Sequence, residues 1–155
     1  MAKDWERLQR VVANAVGGEI VRGSGSGLHD KGDVRTDRLL IECKFTIKDD
    51  MTVKEEWIER VRAQATPDKI WALAVGLRSP DRFAAILDLR SVAPWLARQN
   101  WSVGFQFIPT KRRIKVNGLF MVTSKIIVSD NEQWPLIALN GEVFSEYVEW
   151  IRKRT

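Results

Sequence analysis

Apolar residues near the N-terminus recur at three- and four-residue spacing. Trp5, Leu8, Val12 and Ala15 or Val16 make one stripe, which predicts a helix over 4–16. Gly17 and Gly18 end it. A short strand is predicted over 19–22. Residues 23–32 hold four glycines in ten positions and read as a loop with an adaptable backbone. Residues 33–35, a turn at Thr36-Asp37-Arg38 and a strong strand over 39–46 predict a hairpin. A second helix is predicted over 53–65, with Thr52 and Glu55 as a capping box and Trp57, Ile58, Val61 and Ala65 as its buried stripe. Strands follow over 70–75 and 83–89, then a short helix capped by Ser91 and reaching Arg98. Residues 103–108 and 111–128 read as β-rich, with Asn117-Gly118 as a hairpin turn. A last helix is predicted over 142–153, with Val143, Phe144, Tyr147, Val148 and Ile151 on its inner face.

Strands alternating with helices predict an α/β fold. No internal repeat or long linker breaks the chain, so it reads as one domain over 1–155. Its core spans about 4–90, with a β-rich and helical extension over about 100–155. The 45% hydrophobic and 29% charged composition is that of a globular protein rather than a disordered one. No apolar run reaches the roughly 18 to 20 residues of a membrane helix. The N-terminus turns charged at once and lacks a signal-peptide stretch, so a cytoplasmic location is expected.

The segment richest in chemistry is Leu39-Leu40-Ile41-Glu42-Cys43-Lys44-Phe45-Thr46. In a strand, alternate side chains share a face. Leu39, Ile41, Cys43 and Phe45 then face the core, and Glu42 and Lys44 lie side by side on the other face. A surface salt bridge would explain an isolated pair. Asp33 changes the balance, because the hairpin brings its carboxylate towards Glu42. Two carboxylates and the Cys43 backbone carbonyl would make an oxygen-rich cation site. One cysteine, Cys43, and one histidine, His29, exclude multi-cysteine and multi-histidine metal sites. Oxygen ligands favour magnesium, with manganese as a substitute. Such a metal serves phosphodiester hydrolysis, with Lys44 orienting or deprotonating the attacking water, or stabilising charge on the phosphate. The net charge of +5 suits a polyanionic partner.

The run Gly32-Asp33, eight residues, then Glu42-Cys43-Lys44 resembles the bipartite signature of the PD-(D/E)XK nucleases, with Gly32 in place of the nominal proline. Upstream, Trp5-Glu6-Arg7, then Ile20-Val21-Arg22 and the glycine-serine loop, is similar to archaeal-type Holliday-junction resolvases. It also resembles their bacteriophage relatives, whose pattern appears here as Gly25-Ser26-Gly27, Lys31-Gly32-Asp33-Val34 and Glu42-Cys43-Lys44. The likeness covers residues 4–75. It implies a restriction-endonuclease-like fold, in which helices flank a central mixed sheet. It also implies a homodimer that cuts branched DNA, a four-way junction above all, with magnesium. Carried over by position, Asp33 and Glu42 are metal ligands with the Cys43 carbonyl, Lys44 is catalytic, and Glu6 reaches the metal from the first helix. Arg7, Arg22, Ser24, Ser26 and Lys31 would contact DNA. The likeness leans towards a virus of a prokaryote, hence the host cytoplasm. Three alternatives stand beside it: a nuclease of the same chemistry acting on flaps, ends or duplex, a branched-DNA-binding module without catalysis, and a basic structural protein with an accidental motif.

Further candidates are His29 near DNA, Gln64 on the helix after the catalytic strand, and the basic cluster Lys111, Arg112, Arg113 and Lys115. Most of the seven tryptophans are expected in the core. Trp95, Trp134 and Trp150 are expected at the surface, where a dimer interface could use them.

Overall fold

The computed structural model describes residues 2–21, 33–99, 106–110, 113–123, 125–129 and 135–154. Helix α1 (Ala2–Val16) opens the chain. Gly17 takes a left-handed φ of 66°, and the Gly18 N–H donates to the Ala13 carbonyl, so the two glycines end α1 as its stripe predicts. Then come β1 (Glu19–Ile20), β2 (Val34–Arg35), β3 (Leu39–Thr46) and β4 (Asp50–Thr52). Helix α2 (Glu55–Gln64) leads to β5 (Ile70–Leu77), β6 (Ser79–Asp88) and helix α3 (Leu89–Leu96). The chain continues through β7 (Gln106–Thr110), β8 (Lys115–Asn117), a 3-10 turn (Phe120–Val122), β9 (Lys125–Ser129), β10 (Leu136–Asn140) and helix α4 (Gly141–Arg152).

Eight strands form one mixed sheet in the order β1-β2-β3-β5-β6-β10-β9-β7. β3 pairs with β5 in parallel, as does β7 with β9, and the remaining pairings are antiparallel. The β3–α2–β5 segment is therefore a β–α–β crossover. Both sheet faces are covered, which is why β5 and the second half of β6 are apolar almost without a break. One face carries Leu39, Ile41, Cys43, Ala72, Ala74, Ala85 and Leu139 against α1, α3 and α4. The other carries Leu73, Val75, Ile86 and Ala138 against Ile58 and Val61 of α2 and against the small β4–β8 sheet. Small residues let α1 approach closely. A Cβ on Gly76 would stand 3.1 Å from Leu8 Cδ1 and 3.2 Å from Phe45 Cδ2.

Several expectations are corrected. The α2 N-cap is Lys54, without a side-chain bond, because Thr52 is drawn into β4 against Lys115. Asp88, not Ser91, caps α3, its carboxylate accepting from the Arg90 N–H. Asn117-Gly118 joins no hairpin. β8 pairs back with β4, and the Asn117 side chain accepts from the Phe120 N–H to start the 3-10 turn. Strands β4 and β10 were not foreseen. Trp95 is only 2% exposed and packs against Tyr147 with ring centroids 5.6 Å apart, so it belongs to the core and not to an exposed interface. Trp150 is half-buried, between Tyr147 at 6.3 Å and the Arg154 guanidinium at 4.3 Å, and Trp134 lies outside the described residues.

Candidate functional site

The predicted alternation of β3 holds. Leu39, Ile41 and Cys43 enter the core beneath α1, and Glu42 and Lys44 turn towards α2. The ladder between β2 and β3 ends where Val34 meets Ile41. One residue earlier the register slips, and the Asp33 N–H donates to the Ile41 carbonyl at 2.8 Å. The Asp33 side chain then takes over, its Oδ2 accepting from the Cys43 N–H at 2.7 Å. The Cys43 carbonyl, expected as a metal ligand, accepts from the Trp5 indole Nε1 at 3.1 Å. Side chains thus satisfy both backbone groups of Cys43 where β2 has stopped. A carbonyl has two lone pairs, so the Trp5 bond occupies one acceptor position and leaves one for a cation. The periodicity gave Trp5 only a place in the α1 stripe, and nothing in that spacing marks the indole donor.

Asp33 is 6% exposed. Burial pushes its carboxyl up from the ordinary 3.8 to about 6; the Cys43 N–H opposes this, the Glu42 charge adds to it, and Lys44 and Gln9 lower it. Glu42 is nearly as enclosed, with a side chain 12% exposed. Its Oε1 lies 3.9 Å from Arg60 Nη1 of α2, and its Oε2 is buried with no hydrogen-bond partner among the described residues. Gln9 Nε2 is likewise buried without a partner in bonding geometry, although its amide faces Asp33 and favours the charged form there. Lys44 extends over Trp57 of α2, its Nζ 5.4 Å from the ring centroid, and Lys54 Nζ stands at the same distance. Trp57 therefore steers the Lys44 ammonium as well as packing α2. Burial, and next the charges of Asp33 and Glu42, push the Cys43 thiol up, so it is inert as a nucleophile.

An unpartnered buried carboxylate oxygen beside a second buried carboxylate is costly unless a cation joins them. Two acidic groups and a nearby carbonyl suit a hard divalent ion such as magnesium. Among the described residues no three histidine, cysteine, aspartate or glutamate side chains gather into a metal-holding group. Glu6, exposed on α1, is not drawn in with Asp33 and Glu42. Arg7 is exposed and pairs with Asp81 at 2.7 Å. Arg22, Ser24, Ser26, His29 and Lys31 lie outside the described residues, as do Lys111 and Arg112. Arg113 and Lys115 are exposed beside and on β8, and Lys115 lies 3.4 Å from Asp50. Gln64 is the last residue of α2, one turn beyond Arg60. A cleft of about 680 Å³ opens elsewhere, among Gly17, Arg35, Arg38, Lys69 and Arg152, and none of Asp33, Glu42 and Lys44 lines it.

No protein-family model, no curated protein and no solved structure matches this chain. Among the described residues, no helix is long and apolar enough to cross a membrane.

The raised pKa of Asp33 carries a stability prediction. Between about 3.8 and about 6 the folded chain holds a proton that the unfolded chain has released. The contribution of Asp33 to stability is therefore full below the lower value and is lost as pH rises through the upper one. Without metal, Asp33→Asn is expected to raise the melting temperature at pH 7 by a few degrees and to have little effect near pH 4. The amide oxygen can keep the bond from Cys43. Thermal melts of both proteins across that range check this; an equal shift at both pH values would refute it.

Proposed function

We propose that the chain is a metal-dependent endonuclease with a restriction-endonuclease-like fold, acting on branched DNA. The observation that carries this reading is the buried Oε2 of Glu42, without a partner among the described residues, next to Asp33 and Lys44. Asp33, Glu42 and the Cys43 carbonyl would hold the cation. Magnesium held there supplies a Lewis acid and a lowered pKa for water. The chain's own groups supply the rest. Trp57 holds the Lys44 ammonium near the carboxylates, where it can orient the nucleophile or stabilise charge on the phosphate. The Cys43 N–H holds Asp33 in one orientation. Trp5 fixes the Cys43 carbonyl.

The resolvase reading adds a two-fold dimer whose two sites nick opposing strands of a four-way junction. It rests on the sequence likeness over residues 4–75. The test is purified protein with magnesium on a synthetic four-way junction and on linear duplex of the same sequence. Junction cutting well ahead of duplex cutting is expected. Equal cutting of both would end the resolvase reading and keep the nuclease, and binding without cutting of either would leave a branched-DNA-binding module.

A further inference from the structure

Arg60 projects from α2 over the buried Glu42. Its Nη1 stands 3.9 Å from Glu42 Oε1, too far for a hydrogen bond but well within reach of the charge. The contact is lopsided: the arginine side chain is 56% exposed and the glutamate 12%. Glu42 cannot leave the β3 strand, whereas Arg60 can turn out to solvent at little cost. The second oxygen, Oε2, has no partner among the described residues, so the guanidinium offsets the buried charge only in part. The geometry is that of a substitute positive charge beside a carboxylate built for a tighter partner.

We infer that Arg60 is a place-holder for the cation. It offsets part of the Glu42 charge while the site is empty of metal and opposes a divalent ion that enters. The inference rests on the reading of Asp33 and Glu42 as a cation site and adds a regulator of its loading. Arg60 touches neither nucleophile nor cation and is a positioning residue acting through Glu42. A phosphate arriving over α2 would draw the exposed guanidinium away from Glu42, so substrate and cation would favour each other's binding.

The experiment measures Mn2+ binding to the whole purified chain at neutral pH, by the electron paramagnetic resonance signal of the free ion. Arg60→Ala is expected to bind Mn2+ roughly two- to fivefold more tightly than wild type, the scale of an exposed ion pair. Arg60→Lys keeps the charge and should stay within about twofold of wild type. Glu42→Gln should lose most of the binding. Added salt should narrow the gap between wild type and Arg60→Ala, because Arg60 is screened more than the buried carboxylates. Unchanged or weaker binding in Arg60→Ala, or Arg60→Lys behaving like Arg60→Ala, overturns the inference. A wild type that binds no Mn2+ at millimolar concentration overturns it together with the cation site.

This measurement needs no DNA, so the two ideas fail separately. Tightened Mn2+ binding in Arg60→Ala, in a protein that cuts no DNA, supports the place-holder and removes the nuclease. A working nuclease whose Mn2+ affinity ignores Arg60 removes the place-holder alone. In an active enzyme, Arg60→Ala should also lower the magnesium concentration for half-maximal cutting by the same factor.

Discussion

Glu42→Gln is expected to abolish magnesium-dependent cutting, by about a hundredfold or more, in a protein at least as stable as wild type. The two halves of that result come from one feature. Among the described residues Glu42 Oε2 has no partner and Oε1 has only Arg60 at 3.9 Å, so an isosteric amide breaks no hydrogen bond among them. It also removes a buried negative charge that pushes the Asp33 carboxyl up. The fold therefore loses nothing when Glu42 is neutralised, while a cation would lose one of two carboxylates. Single-turnover cutting of a four-way junction and a thermal melt, run on the same preparations, check both halves. Activity within about threefold of wild type would exclude Glu42 as a ligand. A large drop in melting temperature would show that the carboxylate serves the fold instead. Lys44→Met is a companion: its aliphatic stem can stay over Trp57 while the charge is lost, so cutting should fall and folding persist.

The second large effect lies in the core. Phe144 of α4 is fully buried, edge-on to Phe83 with centroids 6.1 Å apart and tilted against Tyr147 at 6.4 Å. Phe144→Ala should cost about 3–5 kcal/mol, combining lost burial with a cavity that neighbouring strands cannot close. Against a typical total of about 5–15 kcal/mol this is severe. For a chain of this size it lowers the melting temperature by something on the order of 10 °C. Denaturant unfolding would measure it, and a change below about 1 kcal/mol would mean the site repacks. Because the strand contacts of α4 are chiefly with β6 and β10, the folded fraction should retain wild-type Mn2+ affinity.

What the chain reveals before folding is uneven, and the reasons are physical. β3 was readable to its end residues because its alternation sets charged residues on one side and apolar residues on the other. The inner face of α4 was readable for the same kind of reason, as all five predicted positions are buried. β10 was not, since Leu-Ile-Ala-Leu is a short apolar run buried on both faces, with no period to separate strand from helix. The capping box at Thr52 failed because a partner distant in sequence, β8, claims that residue for a ladder. At the site, Asp33, Glu42 and Lys44 come together as the hairpin predicts. The contributions of Trp5, Trp57 and Arg60 depend on where α1 and α2 dock, which local spacing does not encode.

The ending of β2 at Asp33 has one more consequence. A strand that outruns its neighbour exposes N–H and C=O groups on which another chain can pair. At Cys43 those groups are already engaged, one by the Asp33 carboxylate and the other by the Trp5 indole. The acid read here as a metal ligand is thereby also a guard against edge-to-edge association. Removing its side chain altogether, as in Asp33→Ala, would open the sheet to aggregation as well as stripping the proposed cation site. The asparagine variant would separate the two, for it can hold the edge closed while holding the metal poorly.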